Sequence, residues 1–178
     1  LSARCLSYEG APDASDGFFF TAPGAADTLL FQNFESLSDA PGDIDFWGDL
    51  YGRYRIHNPW AGDGQYVTFD SRTDHRAARN RMMIEVATTG VPSGTPVTIS
   101  YRFHDHADEN HSGATGDFVG WNSHGVIDGS VNVISDLTPA SYANDQWFNR
   151  TVTFTPATLP NPLYILFGQY GLYRATSF

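Results

Sequence analysis

The densest run of side chains able to bind or transfer anything lies between residues 104 and 117. His104-Asp105-His106-Ala107-Asp108-Glu109-Asn110-His111 continues through Ser112-Gly113-Ala114-Thr115-Gly116 to Asp117. Asp105, Asp108, Glu109 and Asp117, helped by backbone carbonyls, offer the oxygens that a Ca²⁺ ion gathers, about six to eight of them. Their spacing is not that of an EF-hand loop, and the same residues equally make a solvated acidic loop; both readings stand. His104 and His106 share one face of a strand, but the sequence places no third ligand for a transition metal beside them.

Aromatic residues form a second candidate set. Trp47, Tyr51, Trp60, Trp121 and Tyr142 lie in or near expected loops, where rings stack on sugars while neighbouring Asp, Asn and Arg bond their hydroxyls. Trp60, Trp121 and Tyr142 are the glycan-binding candidates, and each also suits ordinary turn or core packing. Arg72, Arg76, Arg79 and Arg81 crowd together with Asp70, Asp74 and His75. They read either as a polar surface loop or single helical turn with paired charges, or as an anion site. Two sequons, Asn110-His111-Ser112 and Asn149-Arg150-Thr151, mark exposed positions open to glycosylation. Catalysis is not expected: there is no Gly-x-Ser-x-Gly elbow, His-Glu-x-x-His pair or phosphate-cradling glycine loop, and the lone Cys5 sits near one end of the chain. Glu35, Glu85 and Asp105 imitate glycosidase carboxylates, but nothing in the sequence sets their separation.

The elements that must hold these groups are strands. Val97, Ile99, Tyr101 and Phe103 alternate with Thr98, Ser100, Arg102 and His104, and Phe148, Val152 and Phe154 alternate with Asn149, Thr151 and Thr153; period 2 of this kind requires a half-buried strand. Leu163-Tyr164-Ile165-Leu166-Phe167 is apolar at every position and bounded by Pro and Gly, which suits a central strand covered on both faces. Further strands are expected at 28–34, around 51–56, 65–69 and 82–87. Ser36 to Leu50, with four Asp among Pro and Gly, reads as a long acidic loop, and Gly90 to Pro96 as a turn. With 178 residues, no helical periodicity and no apolar run near the roughly 20 residues that cross a bilayer, the chain is expected to be all-β, an antiparallel β-sandwich or jelly roll spanning 28–178 behind an extended N-terminal arm, 1–27. A net charge of −10, from ten arginines, no lysine and twenty acids, disfavours nucleic acid and anionic membranes as partners.

Phe31-Gln32-Asn33-Phe34-Glu35, Ser100 to Phe103 followed by Asp108-Glu109 and Asp117-Phe118-Val119, and finally Trp147 to Phe154 and Leu163 to Tyr170 together resemble secreted bacterial β-sandwich modules. These are of the galactose-binding-like jelly-roll and choice-of-anchor type. The resemblance implies an extracellular, non-catalytic module and a structural Ca²⁺ near Glu35. Such modules close with an Asp-Gly-Ile-x-Phe-Asp-Asp strand that does not follow Tyr173 here, whereas Asp16, Gly17, Phe18, Phe19 and Phe20 in the arm resemble it, with Asp16 standing in for a closing acid. Three readings are open: the arm fills that place in its own domain, it fills it in a neighbouring subunit and builds a filament, or the chain is a piece of a longer protein. The expectation is a structural or adhesion module on the cell surface that self-associates through the arm; the alternative is a carbohydrate-binding module with glycan partners.

Overall fold

The computed structural model of the protein describes residues 18–21, 30–32, 44–48, 53–57, 66–70, 78–105, 118–136, 147–171 and 175–177. Every regular element among them is a strand, and the strands form two antiparallel sheets. One sheet runs β3 (Ile44–Gly48), β6 (Ala78–Val86), β11 (Leu163–Gly171), β8 (Phe118–Asn122) and β9 (Asn132–Asp136). The other runs β2 (Leu30–Gln32), β1 (Phe18–Thr21), β7 (Val97–Asp105), β12 (Ala175–Ser177), β5 (Tyr66–Asp70) and β4 (Arg53–His57), with β10 (Trp147–Phe154) also paired to β7. The all-β sandwich expected from alternation and turn spacing is the architecture found.

The alternating positions become the core. From β6 come Met82, Ile84 and Val86, from β11 Leu163, Ile165 and Phe167, from β7 Val97, Ile99 and Tyr101, with Val67 and Phe69 of β5 and Val119 of β8 between them. Tyr101 meets Phe167 edge to face, centroids 5.3 Å apart at 73°, a favoured arrangement for ring quadrupoles. Farther along the interior, Asn80 Nδ2 donates to Gln169 Oε1 at 2.9 Å, and Gln169 Nε2 donates to the Phe69 carbonyl at 3.3 Å. That carbonyl can only accept, so it fixes the orientation of both amides and ties one sheet to the other.

β10 runs along all but the last residue of β7, from Phe154 opposite Val97 to Trp147 opposite His104. The other edge of β7 is therefore shared: β1 pairs with Thr98 to Ser100 and β12 with His104 and Asp105. The aromatic island of the arm thus adds a strand within its own chain, with Phe19 and Phe20 paired to both β2 and β7. On the outer side of this sheet, Thr98 and Thr153 hydroxyls bond at 2.9 Å and Ser100 and Thr151 at 3.1 Å, cross-strand pairs that stabilise the ladder by a few tenths of a kcal/mol, about 0.2–1.

Three local expectations are corrected. The stretch 36–50 contains a strand, β3, because Ile44 and Phe46 alternate inward while Asp45 is exposed; the count of acids concealed that period. Arg79 and Arg81 are not in a loop or helical turn but in β6, alternating with the buried Asn80 and Met82. Trp121 is in β8, not a loop. β9 carries too little apolar alternation to be read beforehand, its Val133 being 59% exposed.

Two outcomes follow. Deleting residues 1–27 removes β1 and leaves backbone groups of Thr98 to Ser100 without their partner strand, so the melting temperature should fall and should rise again on adding a peptide of residues 16–21, by mass action; an unchanged melt would contradict this pairing. Burial pushes the Tyr101 phenol far above its ordinary value, with Arg150 and Ser135 pulling weakly the other way. Above a pH of about 10 the unfolded phenol ionises while the folded one stays neutral, so stability falls as pH rises, by up to about 1.4 kcal/mol per pH unit. Urea unfolding of Tyr101→Phe should show a shallower alkaline loss than the parent chain.

Candidate functional site

The register of the five-stranded sheet sorts its outward side chains into rows. Trp47 of β3 faces Arg81 of β6, Arg81 faces Gly168 of β11, and Gly168 faces Phe118 of β8. One step along the strands, about 7 Å, Arg79 faces Tyr170. In the other direction come Asp45, Met83, Leu166 and Gly120, then Glu85, Tyr164 and Asn122. Alternation dictates this grouping, since the residues between them are the core.

The middle of this face is closed. Met83 and Leu166 are buried although they point away from the sandwich interior, and the segment 123–131 between β8 and β9 lies over them. An Asn122-centred turn launches it: Oδ1 accepts from the backbone N–H of His124 at 3.2 Å and of Gly125 at 3.0 Å, and Nδ2 donates to the Val126 carbonyl at 3.2 Å. Gly125, with φ of 65°, sits against the Tyr164 ring, where a Cβ would come within 2.8 Å of it. Farther on, Arg81 Nη1 donates to the Ile127 carbonyl at 2.9 Å and the Gly129 carbonyl at 2.8 Å. Val131 then presses onto Gly120, beside a β-bulge at Ile134 of β9, leaving no room for a side chain there. We call this segment the strap.

The far end of the face stays open. Arg79 is exposed, and Trp47, Tyr170 and Phe118 are half-buried. The Arg79 guanidinium lies 5.5 Å from the Tyr170 ring centroid and that of Arg81 5.6 Å from Phe118, the cation–π range. The Phe118 ring leans across Gly168, filling the space a larger residue would take. Burial, and then the nearby charge of Arg79, pull Arg81 below its ordinary value, while Asp128 of the strap opposes them. Tyr164 is pushed the other way, above its ordinary value, by desolvation and then by Glu85, to which its hydroxyl bonds, with Asp45 adding to the shift. The face therefore has a basic, aromatic end and an acidic end with the strap between.

No protein-family model matches the sequence, and no curated protein matches it. Among solved structures the chain is similar to the carbohydrate-binding module TmCBM61, determined in complex with β-1,4-galactotriose, with 12% identity over 83% of this chain and 91% of that one and a TM-score of 0.49. It is also similar to the CBM22-1 xylan-binding domain of Xyn10C from Paenibacillus barcinonensis, with 14% identity over 73% and 83% of the two chains and a TM-score of 0.37. The functional reading of this chain rests on its own residues.

The residues singled out from sequence are distributed as follows. Trp121 faces the interior opposite Ile165 and stacks on Phe154 of the opposite sheet, centroids 5.9 Å apart at 23°; it is half-buried at the rim of the core. Asn149 is exposed on β10, opposite Arg102. Asp105 ends β7 opposite Thr176, and Phe18, Phe19 and Phe20 form most of β1. Glu35, Asp108, Glu109, Asp117, Trp60, Tyr142, Asp16, Gly17 and Asn110 lie outside the described residues. Among the described residues no three His, Cys, Asp or Glu side chains gather as a metal site would require. The open end of the face joins Trp47 and Arg79, both noticed in the sequence for separate reasons, with Phe118 and Tyr170, which read only as strand residues. The missing signal was register: the pairing of β6 with both β3 and β11 is what brings them together.

Arg81 makes two long-range bonds to the strap, so Arg81→Ala should raise amide hydrogen exchange across 123–131 while leaving the β6 and β11 core amides protected. Arg81→Lys should restore only part of the protection, since a lysine lacks the fixed planar fork.

Proposed function

We propose that the protein is an extracellular carbohydrate-binding module, with the outer face of the five-stranded sheet as its binding surface. The observation that carries this reading is the open end of that face, where Trp47 and Tyr170 flank Arg79 on rigid, neighbouring strands. Sugars need an apolar ring face to cover their C–H side and charged or polar forks to bond their hydroxyls. Half-buried rings supply the first at small entropic cost because the sheet already holds them, and an exposed arginine beside them supplies the second. From the grid of the sheet, Trp47 and Tyr170 stand on the order of 10 Å apart, a span suited to an oligosaccharide segment and not to a single small molecule.

The structural or adhesion reading, with a filament joined by the arm, is supported less well. β1 pairs with β2 and β7 of its own chain, the arrangement that needs no neighbour. A structural Ca²⁺ held by Glu35 and by Asp105, Asp108, Glu109 and Asp117, and glycans on Asn110 and Asn149, remain proposals that go with an extracellular location.

Isothermal titration or affinity electrophoresis against a panel of neutral and acidic polysaccharides tests the reading. At least one polymer should bind, and Trp47→Ala and Tyr170→Ala should each weaken it about tenfold, roughly 1.4 kcal/mol, with circular dichroism unchanged. Failure to bind any of them, or full binding by both variants, would remove the proposal.

A further inference from the structure

The strap contains a titratable side chain whose two ring nitrogens both take part in its closure. His124 Nδ1 accepts the backbone N–H of Val126 at 3.2 Å. A backbone N–H can only donate, so Nδ1 bears no proton in the closed strap. The proton of the neutral ring is therefore on Nε2, which lies 3.2 Å from the Ser130 carbonyl, a group that can only accept, and 3.4 Å from the Ser130 hydroxyl. One imidazole thus spans the strap from Val126 to Ser130, and of its two neutral tautomers and its cation only one fits. The same assignment excludes a Ser130 nucleophile with His124 as its base, because Nε2 has no free lone pair to take a proton. The peptide groups that the ring joins also shape the loop. The Val126 carbonyl accepts from Asn122 Nδ2 at 3.2 Å and from the Gly129 N–H at 3.1 Å, and a Cβ on Gly129 would come within 2.7 Å of the ring's Cε1.

We propose that His124 makes the strap a pH-sensitive cover over the centre of the outer face, closed while the ring is neutral and loosened when it is protonated. This holds whatever the face binds. A proton on Nδ1 sets one N–H against another, so the bond to Val126 is lost, while Nε2 keeps its proton and its bond to Ser130. The strap therefore opens from the Val126 side. Imidazole is the side chain whose ordinary titration falls between about pH 5 and 8, and His124 is exposed, so a proton reaches the ring without prior opening. Among the described residues, the other charged or titratable groups around the strap are Asp128 within it, Arg81 and Glu85 of β6, Tyr164 of β11 and Asp45 of β3. Guanidinium, phenol and carboxyl groups ordinarily titrate outside about pH 5.5 to 8, which leaves the imidazole to change charge there. What loosening uncovers is Met83 and Leu166, buried beneath the strap.

NMR of the whole chain tests this. Protonation of His124 is followed from its own ring resonances between about pH 8 and pH 5.5. Over the same range the amide exchange of Val126 and Gly129 is measured and corrected for the intrinsic pH dependence of exchange. Protection of both amides should fall about tenfold as the ring protonates, the loss expected for one hydrogen bond, while the core amides of β6 and β11 keep theirs. His124→Asn retains an acceptor for the N–H two residues on, as an Asx turn does, and cannot titrate; its strap amides should be indifferent to pH. Asp128→Asn, which removes the other titratable group of the strap, should behave as the parent chain. Protection that stays constant while the His124 ring titrates would overturn the proposal, as would an equal fall in His124→Asn or a fall that disappears in Asp128→Asn.

Discussion

The sandwich depends on one strand being covered on both sides. β11 pairs with β6 along its whole length and with β8 from Tyr164 to Gly168, buries Leu163, Ile165 and Phe167 between the sheets, and buries Leu166 on the opposite side. A strand with Leu166 exposed would put a broad apolar face in water at the centre of the sheet. The strap removes that exposure, and Arg81 holds the strap by two bonds to its carbonyls. One guanidinium therefore links the packing of the central strand to the shape of the outer face. Its charge is tolerable there because the carbonyls and Asp128 face it and Phe118 lies beneath it; a group so placed contributes through bonds to partly buried acceptors, which are worth more than surface ion pairs.

That arrangement divides the outer face unequally. The strap occupies the centre and leaves the ends, and the ends differ in chemistry because β6 carries Arg79 and Arg81 toward one end and Glu85 toward the other, with Asp45 of β3 on the side of Glu85. Asp45 and Glu85 are at one end with the Tyr164 hydroxyl, and Arg79, Trp47 and Tyr170 at the other. The rings and the guanidinium at that end come from strand positions and not from loops: Arg79 pairs with Tyr170 across β6 and β11, and Trp47 pairs with Arg81 across β3 and β6.

Much of the fold was legible in the residues because the physics that makes a strand is local. The alternation in 97–103 and 148–154 and the unbroken apolar run at 163–167 each state which faces are covered, and the structure pairs and buries them accordingly. Where local signals failed, another property masked the period. Aspartates around Ile44 and Phe46 gave β3 the composition of a loop, and arginines gave the start of β6 the look of a polar surface segment. β9 has little to bury and so little to show. The strap was invisible for a different reason. Asn122, Gly125 and Gly129 are ordinary turn residues until Tyr164, Arg81 and Gly120, far away in sequence or across a bulge, are seen beneath them.

The candidate site illustrates the same limit more sharply. Trp47 and Arg79 were each conspicuous, but a tryptophan and an arginine 32 positions apart carry no joint meaning until register sets them on one face. Trp121 shows the converse, since its ring, equally conspicuous, is turned inward onto Phe154 by the opposite parity of its strand position. A shift of one residue in β8 would exchange Trp121 for Gly120 on the outer face and press a large ring where Val131 now sits. Parity, fixed by the demand that Val119 join the core, is thus what decides which aromatic residues meet solvent and which hold the sandwich together.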